Sequence, residues 1–390
     1  MDTNGFLVRL EQAVTLQSDD AAIRIHAEYQ PLGGPTAKVF PPTYLPFEGS
    51  RYHFEERWGE DGERVKVVLL DSFQSQANRA EAAIREVAVD VGLPQIVMEA
   101  QIGDRTVRVS SLDAPHRSRD AYFLDSEDSK LDDTPFDETE IGKALNSMSA
   151  EDATAGLRYA PYDLVFGVWD SHRGKRIATK FPRAYSSEMI GWHAIPGRKG
   201  ATKGDPLNLP GQSTVPVAEW RPGTETGQRK KTDLKLNELG HGMIPGEASE
   251  ETGGVSVRSI TRDAVISLTG LARFDFPVGD GDATSVGRAA LAALALFGDR
   301  RAFAGAGLHL RSGSDLVLLR ERVEWVRRGG ETETFGLATA DAQKILMAAR
   351  DRLADAGVAW SGEPMIVRPS QRLSEIIEQT FTTPALEAEE

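Results

Sequence analysis

The sequence predicts an α+β fold, a sheet with helices packed on one face. Strand-like alternation recurs along the chain. A long amphipathic stripe starts at Phe73, and large insertions break any serial strand–helix rhythm. The 390 residues, 40% of them hydrophobic, suffice to bury a large core, and they read as one unit, residues 1–390.

Residues 21–30 alternate around Ile23, Ile25 and Ala27, a strand pattern that Pro31-Leu32-Gly33-Gly34-Pro35 ends. Residues 38–42 (KVFPP) are extended, since paired prolines forbid a helix there. Residues 64–70 (RVKVVLL) form a second strand, and Asp71 or Ser72 can cap the helix that follows. Phe73, Ala77, Ala80, Ile84, Val87 and Val91 line one buried face, which runs out near Gly92-Leu93-Pro94. Residues 95–100 and 106–110 flank Gly103-Asp104 as a hairpin.

The apolar run 163–169 (DLVFGVW) reads as a buried strand, with Trp169 packed in the core. Residues 181–192 read as a short helix, which places Arg183 and Ser187 one turn apart. Residues 197–254 lack periodicity and read as a flexible basic insertion. A long strand region, 256–276, offers Ile260, Val265, Ile266, Leu268 and Leu271 to the core. Residues 287–297 (GRAALAALALF) form a buried helix. A glycine-rich approach, 305–311, leads into strand 315–319, and residues 340–356 form an amphipathic helix with Ile345, Leu346 and Leu353 inward. No repeat of solenoid length occurs.

Charge is unevenly placed. The chain carries a net charge of -14, yet residues 171–203 hold eight Lys/Arg against the single acid Glu188. Phosphates are the usual partner of such a cluster. Just before it, residues 120–152 carry eleven Asp/Glu and two Lys. Few large apolar residues interrupt this run, so it reads as an acidic surface insertion. Cysteine is absent, which excludes disulfides, thiol catalysis and thiolate metal sites. The N-terminus lacks a signal-peptide pattern and no apolar run reaches membrane-spanning length, so a cytoplasmic protein is expected.

Catalytic signatures are missing. The chain has no G-x-S-x-G elbow, no H-E-x-x-H and no complete phosphate loop. Its seven histidines show no metal-ligand spacing, and Asp170-Ser171-His172 are sequence neighbours, which rarely point at one another. No cofactor is expected. Aromatics do accompany the basic residues: Trp169, Phe181, Tyr185, Trp192 and Trp220. Single-stranded nucleic acid uses aromatic faces for bases and Lys/Arg for the backbone, so the composition points to binding. Lys180 and Arg183 are expected on phosphates, with Arg173, Lys175 and Arg176 along the same path and Ser186 and Ser187 as hydroxyl donors at a helix end. A second surface is expected at Ser72, Gln76, Asn78 and Arg79, where amides donate to ribose and phosphate oxygens.

Four blocks carry a resemblance: residues 30–44 (QPLGGPTAKVFPPTY), 69–81 (LLDSFQSQANRAE), 163–174 (DLVFGVWDSHRG) and 180–192 (KFPRAYSSEMIGW). In this order they resemble the RAMP-superfamily backbone subunit of type I-G (formerly I-U) CRISPR Cascade. The resemblance implies a ferredoxin-like (RRM-like) palm with thumb and finger insertions, residues 197–254 being the candidate thumb. It implies several copies along one crRNA, which presents its bases to target DNA. The other expected partners are the RNA-processing and handle-binding subunit, the large subunit and a separate helicase-nuclease. Lys38 and Arg311 join the expected RNA contacts. Such a subunit does not cut. The alternative is a metal-independent guide-RNA endonuclease with His172 or His193 as general base.

Overall fold

The computed structural model describes residues 2–45, 49–59, 61–128, 134–170, 179–198, 204–209, 213–216, 233–236, 241, 252–279 and 281–382. The alternating segments become strands β1 (Asp20–Pro31), β2 (Phe54–Trp58), β3 (Arg64–Asp71), β4 (Tyr185–Trp192), β5 (Ser259–Ser267), β6 (Gly307–Arg311), β7 (Ser314–Arg327) and β8 (Thr332–Phe335). The main sheet runs β6-β7-β1-β5-β4-β3-β2, with β8 also on β7. Every pairing in it is antiparallel. The helices include α1 (Thr3–Ala13), α2 (Phe73–Arg85), α3 (Pro161–Phe166), α4 (Thr284–Phe303), α5 (Thr339–Asp355) and α6 (Gln371–Thr382).

The core lies between one sheet face and the helices. Ile23 and Ile25 of β1 and Ala264 and Ile266 of β5 meet residues of α1, α2, α4 and α5 there. Helix α4 is buried continuously from Gly287 to Arg300, as its unbroken apolar run requires. Beyond the helices, Ala27, Tyr29 and Ile260 on the same face are covered by Val39, Tyr52 and Val255. In chain order β1, α2, β4, β5, α4 and β7 make a β-α-β-β-α-β path, whose strands lie as β7-β1-β5-β4 in the sheet. A smaller five-stranded sheet is built from Ile96–Ile102, Arg105–Ser110, Ser126–Asp128, Thr134–Pro135 and Met365–Pro369. Among the described residues no helix is long and apolar enough to cross a membrane.

Most elements fall where the sequence predicts them, and the exceptions have physical causes. The run at 163–169 is helix α3 and then a strand, Val168–Asp170. A continuous apolar run has no period with which to choose between buried helix and strand, and Pro161 at the helix start favours helix. The segment predicted as helix 181–192 is strand β4, paired with β5 from Tyr185↔Ile266 to Trp192↔Ser259. Its inward row, Tyr185, Ser187 and Met189, carries a serine, which hides the alternation. The strand region 256–276 is β5 followed by a short helix, Leu268–Leu271.

The acidic stretch also departs from expectation. Phe123, Phe136 and Leu145 are fully buried, and Ser126–Asp128 pairs with Met365–Pro369. These apolar residues reach the core, and averaging over charge concealed them. Most of residues 197–254 lies outside the described residues. Its ends are joined: Ile195–Pro196 pairs with Val255–Ser256, and the Gly197 N–H donates to the Gly254 carbonyl at 2.7 Å. A Cβ on Gly253 would lie 2.2 Å from the Gly197 carbonyl oxygen, so this closure demands glycine. Within the stretch, Thr214–Pro216 pairs with Asp233–Lys235.

Candidate nucleic-acid interface

The strands Val168–Asp170 and Thr179–Phe181 form an antiparallel pair with Trp169 opposite Lys180. The register alternates cleanly. Val168 and Phe181 are buried, and Phe181 packs at 5.7 Å between ring centroids on Phe274. Trp169 and Lys180 point outward; Trp169 is 56% exposed, and the Lys180 ammonium lies 5.9 Å from its ring centroid. The expectation of Trp169 as a core residue is therefore corrected: in this two-stranded ribbon Val168 and Phe181, not Trp169, face inward. The connecting residues, with Arg173, Lys175, Arg176 and His172, lie outside the described residues.

The root of this ribbon is fixed. Gly167 has φ +87°, and a Cβ there would lie 3.0 Å from the Arg183 nitrogen. Its carbonyl accepts from Arg117 Nη1 at 2.8 Å. Arg117 also donates to both Glu81 oxygens of α2, at 2.6 and 2.8 Å. Burial opposes the charge on Arg117, but Glu81 more than offsets it, and the guanidinium pKa lies above its usual value. Arg183 is exposed at this root, and neither it nor Lys180 has a carboxylate partner among the described residues.

The second expected surface divides. Ser72 is the N-cap of α2, its Oγ accepting from the Ser75 N–H at 3.3 Å, and Asn78 is exposed. Gln76 is fully buried. Its Nε2 donates to Asp71 at 2.5 Å, and its Oε1 accepts from Ser187 Oγ at 2.8 Å and Arg262 Nε at 2.9 Å. Gln76 and Ser187 are thus internal partners, which corrects their expected placement at a surface. Ser186 is half-buried on a strand, not at a helix end. Arg79 is a clamp: it donates to Asp71 at 2.8 Å and to the His309 and Leu310 carbonyls at 3.1 Å each.

Arg262 is the centre of the internal network and was not anticipated. It lies fully buried on the inward row of β5, over the Phe303 ring at 3.7 Å, and pairs with Asp299. Tyr185 donates to Asp299 at 2.9 Å, and Arg300 joins Asp299 to Glu321. Burial alone would raise the Asp299 pKa; Arg262 and Arg300 reverse this and hold it below the usual carboxylate range. The sequence signal was an arginine at an inward position between Ile260 and Ala264.

Lys38 and Arg311 are exposed on adjoining segments. Lys38 Nζ donates to the Gly253 carbonyl at 3.3 Å and Arg311 Nη1 to the Pro41 carbonyl at 2.9 Å. Both keep their charge uncompensated by a carboxylate among the described residues. The opposite face of the sheet differs, because the arginines described there are already engaged by carboxylates. Arg24 pairs with Glu324 at 2.5 Å, Arg57 with Glu188 at 2.6 Å, Arg320 with Glu28 at 2.7 Å and Arg322 with Glu324 at 3.0 Å. Phosphate would have to displace a carboxylate at each. Among the described residues no group of three or more His, Asp or Glu is placed to hold a metal ion.

Residues 23–196, less than half of the chain, match the family model described as CRISPR-associated protein GSU0053. The match indicates a CRISPR-associated protein family. The matched segment contains most of β1, all of α2 and β4, and the Trp169–Lys180 ribbon. No curated protein matches the chain.

Proposed function

We propose that this chain is the non-catalytic guide-RNA-binding backbone subunit of a type I CRISPR surveillance complex, of the I-G kind. Copies of it line a crRNA and hold its backbone, leaving the bases to pair with target DNA. The observation that carries this reading is the pair Lys180 and Arg183, exposed and without carboxylate partners among the described residues of an acidic protein, inside the segment that matches the CRISPR-associated family. Lys38 and Arg311 supply further phosphate contacts, and Ser72 and Asn78 uncharged ones.

The fold supports the same reading. The β-α-β-β-α-β path with strand order β7-β1-β5-β4 is the fourth, first, third and second strand in turn, the connectivity of a ferredoxin-like palm. Residues 197–254, leaving and re-entering this palm at one closed base, serve as the thumb. The partners are an RNA-processing and handle-binding subunit, the large subunit and a recruited helicase-nuclease, in the cytoplasm.

Because the base sequence is read by pairing, the protein needs only shape and backbone contacts. Purified protein mixed with repeat-containing RNA tests the proposal. The expected result is a salt-sensitive complex with the RNA intact. Cleavage fragments in the absence of metal would instead assign a guide-RNA endonuclease, and absence of binding would refute both.

A further inference from the structure

The exposed Trp169 has no place in a binding mode made of phosphate contacts alone. Its indole is 56% exposed although its strand neighbour Val168, and Phe181 opposite Val168, are buried. Single exposed aromatics are common on protein surfaces and by themselves imply nothing. Two further observations set this one apart. The first is its cross-strand partner: Lys180, with no carboxylate near it among the described residues, sits 5.9 Å from the ring centroid. That distance is at the outer limit of a cation–π contact, so the ring is only loosely covered. The second is rigidity. The ribbon stands on buried Phe181 and on Gly167, whose carbonyl is tied by Arg117 to Glu81 of α2.

Trp58 provides the contrast. It is more exposed, at 71%, but its cross-strand partner Arg64 is engaged by Glu56 at 2.8 Å. A phosphate near Trp58 would meet a cation already paired. Near Trp169 it would meet a free one.

From this geometry we infer that Trp169 is a base-stacking platform, binding an unpaired nucleobase on its open face while Lys180 takes an adjoining phosphate. The inference rests on the RNA-binding reading above and adds a contact to the base itself. It predicts that the protein distinguishes a base-bearing strand from a bare sugar-phosphate chain. Stacking on an aromatic is worth about 1–3 kcal/mol per base, or about 5- to 150-fold in affinity. Being uncharged, it leaves the salt dependence of binding unaltered.

The test measures binding of labelled single-stranded RNA, and of an abasic ribose-phosphate chain of equal length, by fluorescence anisotropy at several salt concentrations. Wild-type protein should prefer the RNA. Trp169→Ala should lose about 5- to 150-fold on RNA, lose little on the abasic chain and keep the wild-type salt slope. Trp169→Phe should retain part of the preference, Trp58→Ala all of it. Matching thermal melts establish that the variants fold. The inference is overturned if Trp169→Ala binds RNA as wild type does, or weakens both ligands equally. It is also overturned if that variant loses only its association with other protein subunits, which makes the ring a protein contact. If wild type binds neither ligand, the RNA-binding reading itself fails.

Discussion

Truncating Gln76 separates a structural glutamine from an RNA-contacting one. The Gln76→Ala change leaves Asp71 still bonded to Arg79 at 2.8 Å. It strips Ser187 Oγ and Arg262 Nε of their acceptor, at sites where Gln76, Ser187 and Arg262 are all fully buried. Arg262 Nη1 already lacks a partner, so a second unsatisfied nitrogen on one buried cation is costly. A buried hydrogen bond to a charged donor is worth roughly 1.5–3 kcal/mol and a neutral one about 1 kcal/mol. The loss should therefore be about 2–4 kcal/mol, read as a lower urea midpoint with an unchanged m-value. On the same helix, exposed Asn78→Ala should change stability by less than about 0.5 kcal/mol. Below its unfolding transition, Gln76→Ala should bind RNA normally. Wild-type stability with impaired RNA binding would refute this account of Gln76 and restore it to the surface.

Other consequences follow from the same contacts. Arg79→Ala should destabilise the protein by about 1–3 kcal/mol, since it releases buried Asp71 and the His309 and Leu310 carbonyls; a neutral melt would show that the clamp is not used. Asp299→Ala leaves Arg262 without its counter-ion while Arg300 keeps Glu321, and should cost about 3–5 kcal/mol in chemical denaturation. Burial pushes the Asp163 carboxyl up to about 6, despite its bonds from Ser118, against an unfolded value of 3.8. The native state then binds more protons than the unfolded one between those values, so this group makes stability fall as pH rises from 3.8 to about 6, by up to about 3 kcal/mol. Subtracting the profile of Asp163→Asn isolates the slope, and identical profiles would contradict it.

Much of this fold was legible because its elements bury one face each. The alternation of Ile23 and Ile25, the Ala77, Ala80 and Ile84 stripe and the apolar helix around Leu291 all survive in the structure, whereas Phe73, expected on the same buried face, is exposed at the first turn of α2. Illegible were the segments in which periodicity is masked. Ser187 breaks the inward row of β4 because its hydroxyl is satisfied by Gln76, a partner 111 residues away in sequence. Within the candidate site, Lys180 and Arg183 were readable from charge, since exposed cations need no partner to be noticed. Gln76, Ser187 and Arg79 look equally polar on the page, and only tertiary pairing shows that their hydrogen bonds are already spent internally. Trp169 errs the other way: its apolar character suggested the core, and cross-strand register put it outside.

The central claim is that Lys180 and Arg183 hold RNA through its phosphates, and the salt dependence of binding measures this directly. Affinity for single-stranded guide RNA should be determined for wild type and for Lys180→Ala/Arg183→Ala across a series of salt concentrations. Each lost phosphate contact lowers the slope of log affinity against log salt by about 0.7, so the double variant should lose about 1.4. It should bind more weakly at low salt while melting like wild type, since both side chains are exposed. An unchanged slope with unchanged affinity would contradict the assignment of this surface to RNA.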